Sequence, residues 1–176
     1  ALLFVAGMCH NIMLSIVVIT VISTICCWLN WGFGLIAGAL LAREVAKRVP
    51  TVDYPLLIAS AYSGFVIWHA GLSGSIPLQL AEGYKLCAGT EQEMVLTAST
   101  ADTIFHPMNI IMCCVILLVM PFVNYAMHPD RDHAITIDPT LLQDEEDKTY
   151  EVKTPADKME HSRILWIILV VAGCAY

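Results

Sequence analysis

Two clusters of small and polar residues interrupt otherwise apolar runs, and they are where this sequence can do chemistry. The first is Asn30-Trp31-Gly32-Phe33-Gly34; the second is Gly71-Leu72-Ser73-Gly74-Ser75-Ile76-Pro77. Asn30, Ser73 and Ser75 bring neutral hydrogen-bonding groups. Glycines let backbone approach a partner with no side chain in the way. An interrupted helix also exposes N–H groups and the positive end of its dipole, which suits an anion. The same glycines have a second reading, as small residues that let two membrane helices pack closely. Either way this is recognition rather than bond-making. No carboxylate or histidine pair lies within an apolar run and no nucleophile sits beside a base, so an enzyme is not expected.

The other ionisable groups add little. His69 adjoins the second cluster. A packed or hydrogen-bonded histidine is its simpler reading, a proton-coupling group the sharper one. Arg43 can pair with a carboxylate, but it reads more simply as an anchor that snorkels to the membrane interface. His10, His106, His128, His133 and His161 show no metal-ligand spacing, so no metal and no cofactor are expected. The adjacent pairs Cys26-Cys27 and Cys113-Cys114 lie in apolar runs and point apart on a helix, so they read as core residues.

These clusters must be held by membrane helices. The 176 residues are 57% hydrophobic and only 14% charged, with a mean hydropathy of +0.68. Soluble domains run near ~25% charged, so the deficit argues for a multi-span membrane protein. Nothing is basic enough to suggest nucleic acid. The net charge of −7 comes mostly from residues 128–163, which hold ten carboxylates and five Lys/Arg.

Residues 12–29 form one uncharged segment about 27 Å long as a helix, close to the ~30 Å hydrocarbon core. The first cluster follows, then a second apolar stretch, Leu35 to Leu41, with no polar loop between. This is either a helix with an unwound centre or a re-entrant hairpin with its tip at 30–34. Arg43, Lys47 and Arg48 mark a cytoplasmic turn by the positive-inside rule. Pro50 stops the helix, and Asp53 and Pro55 start another. That one runs over 55–70 into the second break at 71–77. Residues 79–106 are expected to be an outer loop, with Pro107 to Met127 a further span. The transmembrane region thus covers 1–127, followed by an acidic cytoplasmic loop at 128–162. Residues 163–176 are expected to begin a helix that is cut short, because Ile164 to Tyr176 is only 13 residues. The opening has no basic n-region and no cleavage site, so it is not expected to be a signal peptide; a longer protein is expected at both ends.

The order of residues around the breaks resembles a known family. Asn30-Trp31-Gly32-Phe33-Gly34-Leu35 precedes Ala42-Arg43-Glu44-Val45-Ala46, Arg48-Val49-Pro50 and Asp53-Tyr54-Pro55-Leu56-Leu57-Ile58-Ala59. Ala61-Tyr62, Gly64-Phe65, Trp68, Ser73-Gly74-Ser75 and Pro77-Leu78 continue it, as do Ile137-Asp138-Pro139, Leu141-Leu142 and Ser162-Arg163-Ile164-Leu165. The pattern is similar to the short-chain fatty acid transporter family typified by the acetoacetate-pathway (Ato) carrier. Two departures stand out: His69-Ala70 stands where small residues are expected, and 79–106 bears little likeness.

The resemblance implies an all-α, polytopic helical bundle with broken or re-entrant helices, about one half of an inverted-repeat ion-transporter-type fold. It implies secondary transport of small monocarboxylates such as acetoacetate or butyrate across the bacterial inner membrane. The partners are then the carboxylate, the bilayer and a coupling cation, H⁺ or Na⁺, with a homo-oligomer left open. The two breaks are expected to converge on one substrate site. Asn30, Ser73 and Ser75 would donate to the carboxylate, Gly32, Gly34 and Gly74 would open the backbone to it, and Trp31, Phe33 and Trp68 would bound the alkyl tail. A dicarboxylate carrier and a non-transporting membrane subunit are the alternatives. The first would need a second cationic cluster. The second leaves the unwound helices without a reason.

Overall fold

In the computed structural model the described residues are 2–86, 89, 94–130, 132–142, 159, 162, 167 and 168. The chain divides into two units, Ala1–Leu142 and Gln143–Tyr176. The first contains α1 (Leu2–Met8), α2 (Ile12–Leu29), α3 (Trp31–Arg48), α4 (Tyr54–Ser63), α5 (Ser75–Glu82), α6 (Thr100–Thr103) and α7 (Pro107–Ala126). Two 3₁₀ segments, Gly64–Ala70 and Pro139–Leu142, and a short antiparallel pair, β1 (Tyr84–Leu86) and β2 (Met94–Leu96), complete it. This is an all-α membrane fragment. Ile12–Leu29, Tyr54–Glu82 and Pro107–Ala126 are long and apolar enough to cross a membrane.

α2 starts where the Asn11 side chain accepts the Leu14 N–H at 2.8 Å. Its hydroxyls are all satisfied: Ser15, Thr20 and Thr24 donate to the carbonyls of Asn11, Ile16 and Thr20 at 2.8, 2.8 and 2.7 Å, and Ser23 donates across to Ala61 O of α4. No hydroxyl of α2 is therefore left unpaired against hydrocarbon. The helix ends at Asn30, whose N–H donates to Cys26 O at 2.8 Å. Asn30 also begins α3, its side chain accepting the Phe33 N–H at 3.0 Å. One residue therefore caps both helices, and α2 and α3 form a tight antiparallel hairpin. Of the cluster 30–34 only Asn30 is non-helical; Trp31 to Gly34 are the first turn of α3.

Helical glycine costs about 1 kcal/mol relative to alanine. At Gly34 packing offsets this, because a Cβ there would collide with the backbone and thiol of Cys27. Farther along, a Cβ on Gly38 would lie 3.2 Å from both Ala61 O and Ser23 Oγ. Small residues thus set the spacing of α2, α3 and α4, as in other membrane helix pairs.

α2 is the central element, packing against α3, α4, the 3₁₀ segment 64–70 and α7. Ile16, Ile19, Leu41, Val45, Val52 and Leu57 are fully buried around it. Asn124 of α7 reaches into this core, its Nδ2 donating to Thr20 Oγ1 at 3.0 Å and Ser63 Oγ at 2.8 Å. One amide joins three helices. The outer face of α7 is apolar, with Ile111, Leu118 and Phe122 exposed, as suits a lipid-facing helix.

Three further expectations are refined. The second break spans Gly71 to Gly74 rather than 71–77, and Ser75-Ile76-Pro77 form the first turn of α5. Proline is tolerated there because first-turn N–H groups have no helical partner. Residues 79–106, expected to be an outer loop, hold the end of α5, the β1–β2 hairpin and α6 among the described residues. Each strand has three residues, too few to show a periodicity. Residues 128–142 are not simply a solvated linker. Asp53 Oδ2 accepts the Ile135 N–H at 2.8 Å, Arg43 Nη2 donates to Leu142 O at 3.0 Å, and Leu142 is buried in the core. Residues 143–158, with the acidic run 144–147, lie outside the described residues, as does most of the expected final helix at 163–176.

Candidate functional site

The two breaks meet. Their junction is a corner built from the end of α2, the start of α3 and the loop Gly71–Gly74. The Trp31 N–H donates to Ser73 Oγ at 3.0 Å. The Leu72 N–H donates to Trp28 O at 2.8 Å. A Cβ on Gly71 would collide with that same Trp28 carbonyl, so only glycine lets the loop approach α2 this closely. The indole N–H of Trp68 donates to Ser73 O at 3.1 Å, closing the loop onto the 3₁₀ segment. Asn109 Nδ2 braces it from α7, donating to Ala70 O at 3.0 Å and Ile104 O at 2.8 Å.

Aromatic rings line one side of the corner. Phe65 stacks on Trp68 at 4.8 Å between centroids, and Trp31 leans against both at 6.1 and 5.6 Å. His69 stacks on Trp68 at 4.1 Å. Phe33 has no ring partner among the described residues and is exposed.

The three glycines named in the sequence separate into two kinds. A Cβ on Gly32 would meet only Asn30 Oδ1, at 3.5 Å, so this position is open. Gly34 faces Cys27, and a Cβ on Gly74 would lie 2.6 Å from His69 O. Those two serve packing and turn formation. Gly74 is buried, Ser73 half-buried and Ser75 exposed at the rim. Bonds and ring contacts thus join Trp31, Trp68 and Ser73 at the corner, with Asn30 and Gly32 flanking Trp31 and Gly74 and Ser75 following Ser73 in the chain, while Gly34 faces Cys27 and Phe33 is exposed.

The corner is made of neutral groups. Arg43 lies twelve residues along α3 from Trp31, about 18 Å away at helical rise, and donates to Leu142 O. Among the described residues no three or more His, Cys, Asp or Glu are grouped to hold a metal. An anion here would be met by backbone N–H groups and a helix end rather than a cation. The Trp31 and Phe33 N–H groups already have acceptors in Ser73 and Asn30, which leaves Gly32 as the open position of the first turn of α3. The negative end of α2, immediately adjacent, is muted because Asn30 N–H and Leu72 N–H occupy its Cys26 and Trp28 carbonyls.

Sequence reasoning missed Trp28, Leu72 and Asn109. Their signals were weak: Trp28 and Leu72 lie at the edges of apolar runs, and Asn109 is a lone amide beside Pro107 at the start of a span.

All of residues 1–176 match the family model described as short chain fatty acid transporter. A relative from Escherichia coli (strain K12) that carries the name of a short-chain fatty acid transporter is 41% identical over 166 residues, covering 92% of this chain and 37% of the relative. A relative from Haemophilus influenzae with the same name is 36% identical over 172 residues, covering 92% of this chain and 38% of its own length. The chain therefore spans less than two fifths of either relative. No solved structure matches it.

Proposed function

We infer the function from one premise: the chain belongs to the short chain fatty acid transporter family. It is proposed to be part of a multi-pass secondary carrier that moves small monocarboxylates, such as acetoacetate or butyrate, across a bacterial inner membrane. The chain would supply one side of the substrate site and the remainder of the carrier the other. A coupling cation, H⁺ or Na⁺, belongs to the same proposal, as does assembly into a homo-oligomer.

The observation that carries this reading is the bond from the Trp31 N–H to Ser73 Oγ, which joins the two breaks at one corner. A carrier must replace the water on a carboxylate with protein donors. The Gly32 N–H, the Asn30 amide and the Ser75 hydroxyl would do this, aided by the positive end of α3. Trp31 and Trp68 would wall the site with rigid apolar surface. A dicarboxylate carrier is less well supported, because no lysine or arginine stands at the corner among the described residues.

The test is uptake of labelled butyrate and acetoacetate by cells expressing the full-length parent, with the 176-residue chain in parallel. Saturable uptake by the parent and none by the chain alone is the expected result. No uptake by a correctly inserted parent overturns the monocarboxylate reading.

A further inference from the structure

Three polar side chains pin α7 and the residue just past it along the broken span Tyr54–Glu82. Near the start of α7, Asn109 Nδ2 donates to Ala70 O at 3.0 Å. Near its end, Asn124 Nδ2 donates to Ser63 Oγ at 2.8 Å. Just past it, His128 Nε2 accepts the N–H of Asp53, the N-cap of α4, at 3.1 Å. The first two groups are amides and do not titrate. The third is an imidazole, which can take up a proton.

The neighbours of this ring fix its state. The Asp53 N–H can only donate, so Nε2 carries a lone pair. The Pro129 carbonyl, 2.7 Å from Nδ1, can only accept, so Nδ1 carries the proton. The arrangement exists for one form alone, the neutral Nδ1–H tautomer. Asp53, which is buried, passes the contact on. Its Oδ2 accepts the Ile135 N–H at 2.8 Å, and Ile135 O accepts the Tyr54 N–H at 2.9 Å.

We propose that His128 is a proton-operated latch: neutral, it ties the end of α7 to the start of α4, and protonated, it releases Asp53 and the chain around Ile135. The latch is independent of what the carrier moves. An imidazolium has no lone pair for the Asp53 N–H. It is drawn instead to the Asp53 carboxylate, whose two oxygens already accept the Leu56 and Ile135 N–H groups. Turning there takes Oδ2 from Ile135, so either route loosens the same contact. The ring lies on an open groove of about 460 Å³ that also holds Tyr125 and Asp130 from its own stretch of chain and apolar Ile12 from α2. His10 lines the neighbouring groove, which shares Ile12 and Tyr125. On α3, Arg43 donates to Leu142 O, Lys47 pairs with Glu44 at 2.6 Å, and Arg48 reaches towards Gly7 of α1. On release α7 keeps its amide bonds to Ser63 and Ala70, so the opening is confined to the start of α4.

The experiment is amide hydrogen exchange on the purified full-length parent in lipid nanodiscs, at about pH 8 and about pH 5.5. Protection at Asp53 and Ile135 is taken relative to an unstructured peptide at the same pH, which removes the pH dependence of exchange itself. In the parent it is expected to fall roughly tenfold at the lower pH. Ile16 and Ile19 of α2, fully buried, should keep their protection and so report that the bundle stays folded. His128→Gln carries a carbonyl oxygen that accepts the Asp53 N–H and does not titrate, so it is expected to stay protected at both pH values. His128→Leu has no acceptor and is expected to be poorly protected at both. Equal protection of the parent at the two pH values overturns the latch, as does a fall in His128→Gln as large as the parent's. Loss of protection at Ile16 and Ile19 together with Asp53 also overturns it, since acid would then unfold the whole bundle.

Discussion

Trp31 of α3 and Ser73 of the Gly71–Gly74 loop are 42 residues apart in sequence, yet the N–H of one donates to the hydroxyl of the other at 3.0 Å. Removing that hydroxyl leaves the first N–H of α3 without its acceptor, a loss of about 1 kcal/mol at a half-buried site. In the full-length parent, Ser73→Ala is expected to lower uptake roughly fivefold while leaving membrane insertion unchanged. Ser73→Thr keeps the hydroxyl and should retain most of the activity. Equal uptake by Ser73→Ala and the parent would separate this bond from transport.

Two glycines two residues apart on α3 should behave in opposite ways. A Cβ at Gly32 enters open space, so Gly32→Ala is expected to fold normally and to reduce uptake by blocking the open donor. A Cβ at Gly34 strikes Cys27, so Gly34→Val is expected to part the hairpin and cut the yield of folded protein. Size-exclusion profiles in detergent, taken alongside uptake, distinguish the two. Loss of folding at Gly32 or normal folding at Gly34 would contradict the assignment.

Asn124 holds α7 to α2 and α4 through two side-chain hydrogen bonds. Such bonds within membrane proteins average about 0.6 kcal/mol and reach ~1.7. Asn124→Leu should therefore destabilise the bundle by about 1–2 kcal/mol, measured by unfolding in mixed detergent micelles. No measurable change would mean that repacked apolar contacts replace the amide completely.

Asp53 works at both oxygens. Oδ1 accepts the Leu56 N–H at 2.8 Å and caps α4, and Oδ2 accepts the Ile135 N–H at 2.8 Å. Asp53→Ala removes both and is expected to cost about 2 kcal/mol. Amide exchange should quicken at Leu56 and Ile135 together. Quickening at Leu56 alone would show that residues 128–142 are held without Asp53, by buried Leu142 and by the Ile135 carbonyl, which accepts the Tyr54 N–H at 2.9 Å.

At Asp138 the donor is the Thr140 N–H, bonded to its carboxylate at 2.9 Å. With the Thr140 hydroxyl adding to it, this bond holds the Asp138 carboxyl below its ordinary value. A depressed value in the folded state means a contribution fully present above the unfolded pKa of about 3.9 and lost as pH falls through the folded one. Carboxyl-carbon NMR should give a midpoint below ~3.9 in the parent and close to it in Thr140→Pro, which has neither donor. A parent midpoint at or above ~3.9 would contradict the bond.

Helix positions were legible in the sequence wherever apolar length and capping residues coincided. Asn11, Asp53 and Pro107 open α2, α4 and α7, and the run from Ile12 to Leu29 is one uninterrupted helix. The breaks were legible as composition but not in extent. Glycine next to Trp31 and Phe33 reads as unwound chain, yet Asn30 alone supplies both caps and the glycines stay helical. What decided this was contact with Cys27, a residue on another helix, and local propensity carries no record of such a contact. Convergence of the two breaks is an expectation that draws on family likeness, whereas the bond from Trp31 to Ser73 has no signal in the sequence. Trp28 could not have been found in that way, since its part depends on which carbonyl the loop reaches. The docking of Leu142 on α3 was hidden by its setting among polar residues.

The single-residue corner at Asn30 also constrains motion. With both helix ends capped by one residue, its backbone N–H closing α2 and its side chain opening α3, the chain has no slack there, and neither arm can swing without breaking the other's cap. The hairpin is a lever with 18 residues on each arm, pivoted where it rests on Gly71. A movement that turns the corner from one face of the membrane to the other must carry both arms as one body. The give in such a cycle then has to come from the Gly71–Gly74 loop and the 3₁₀ turns before it.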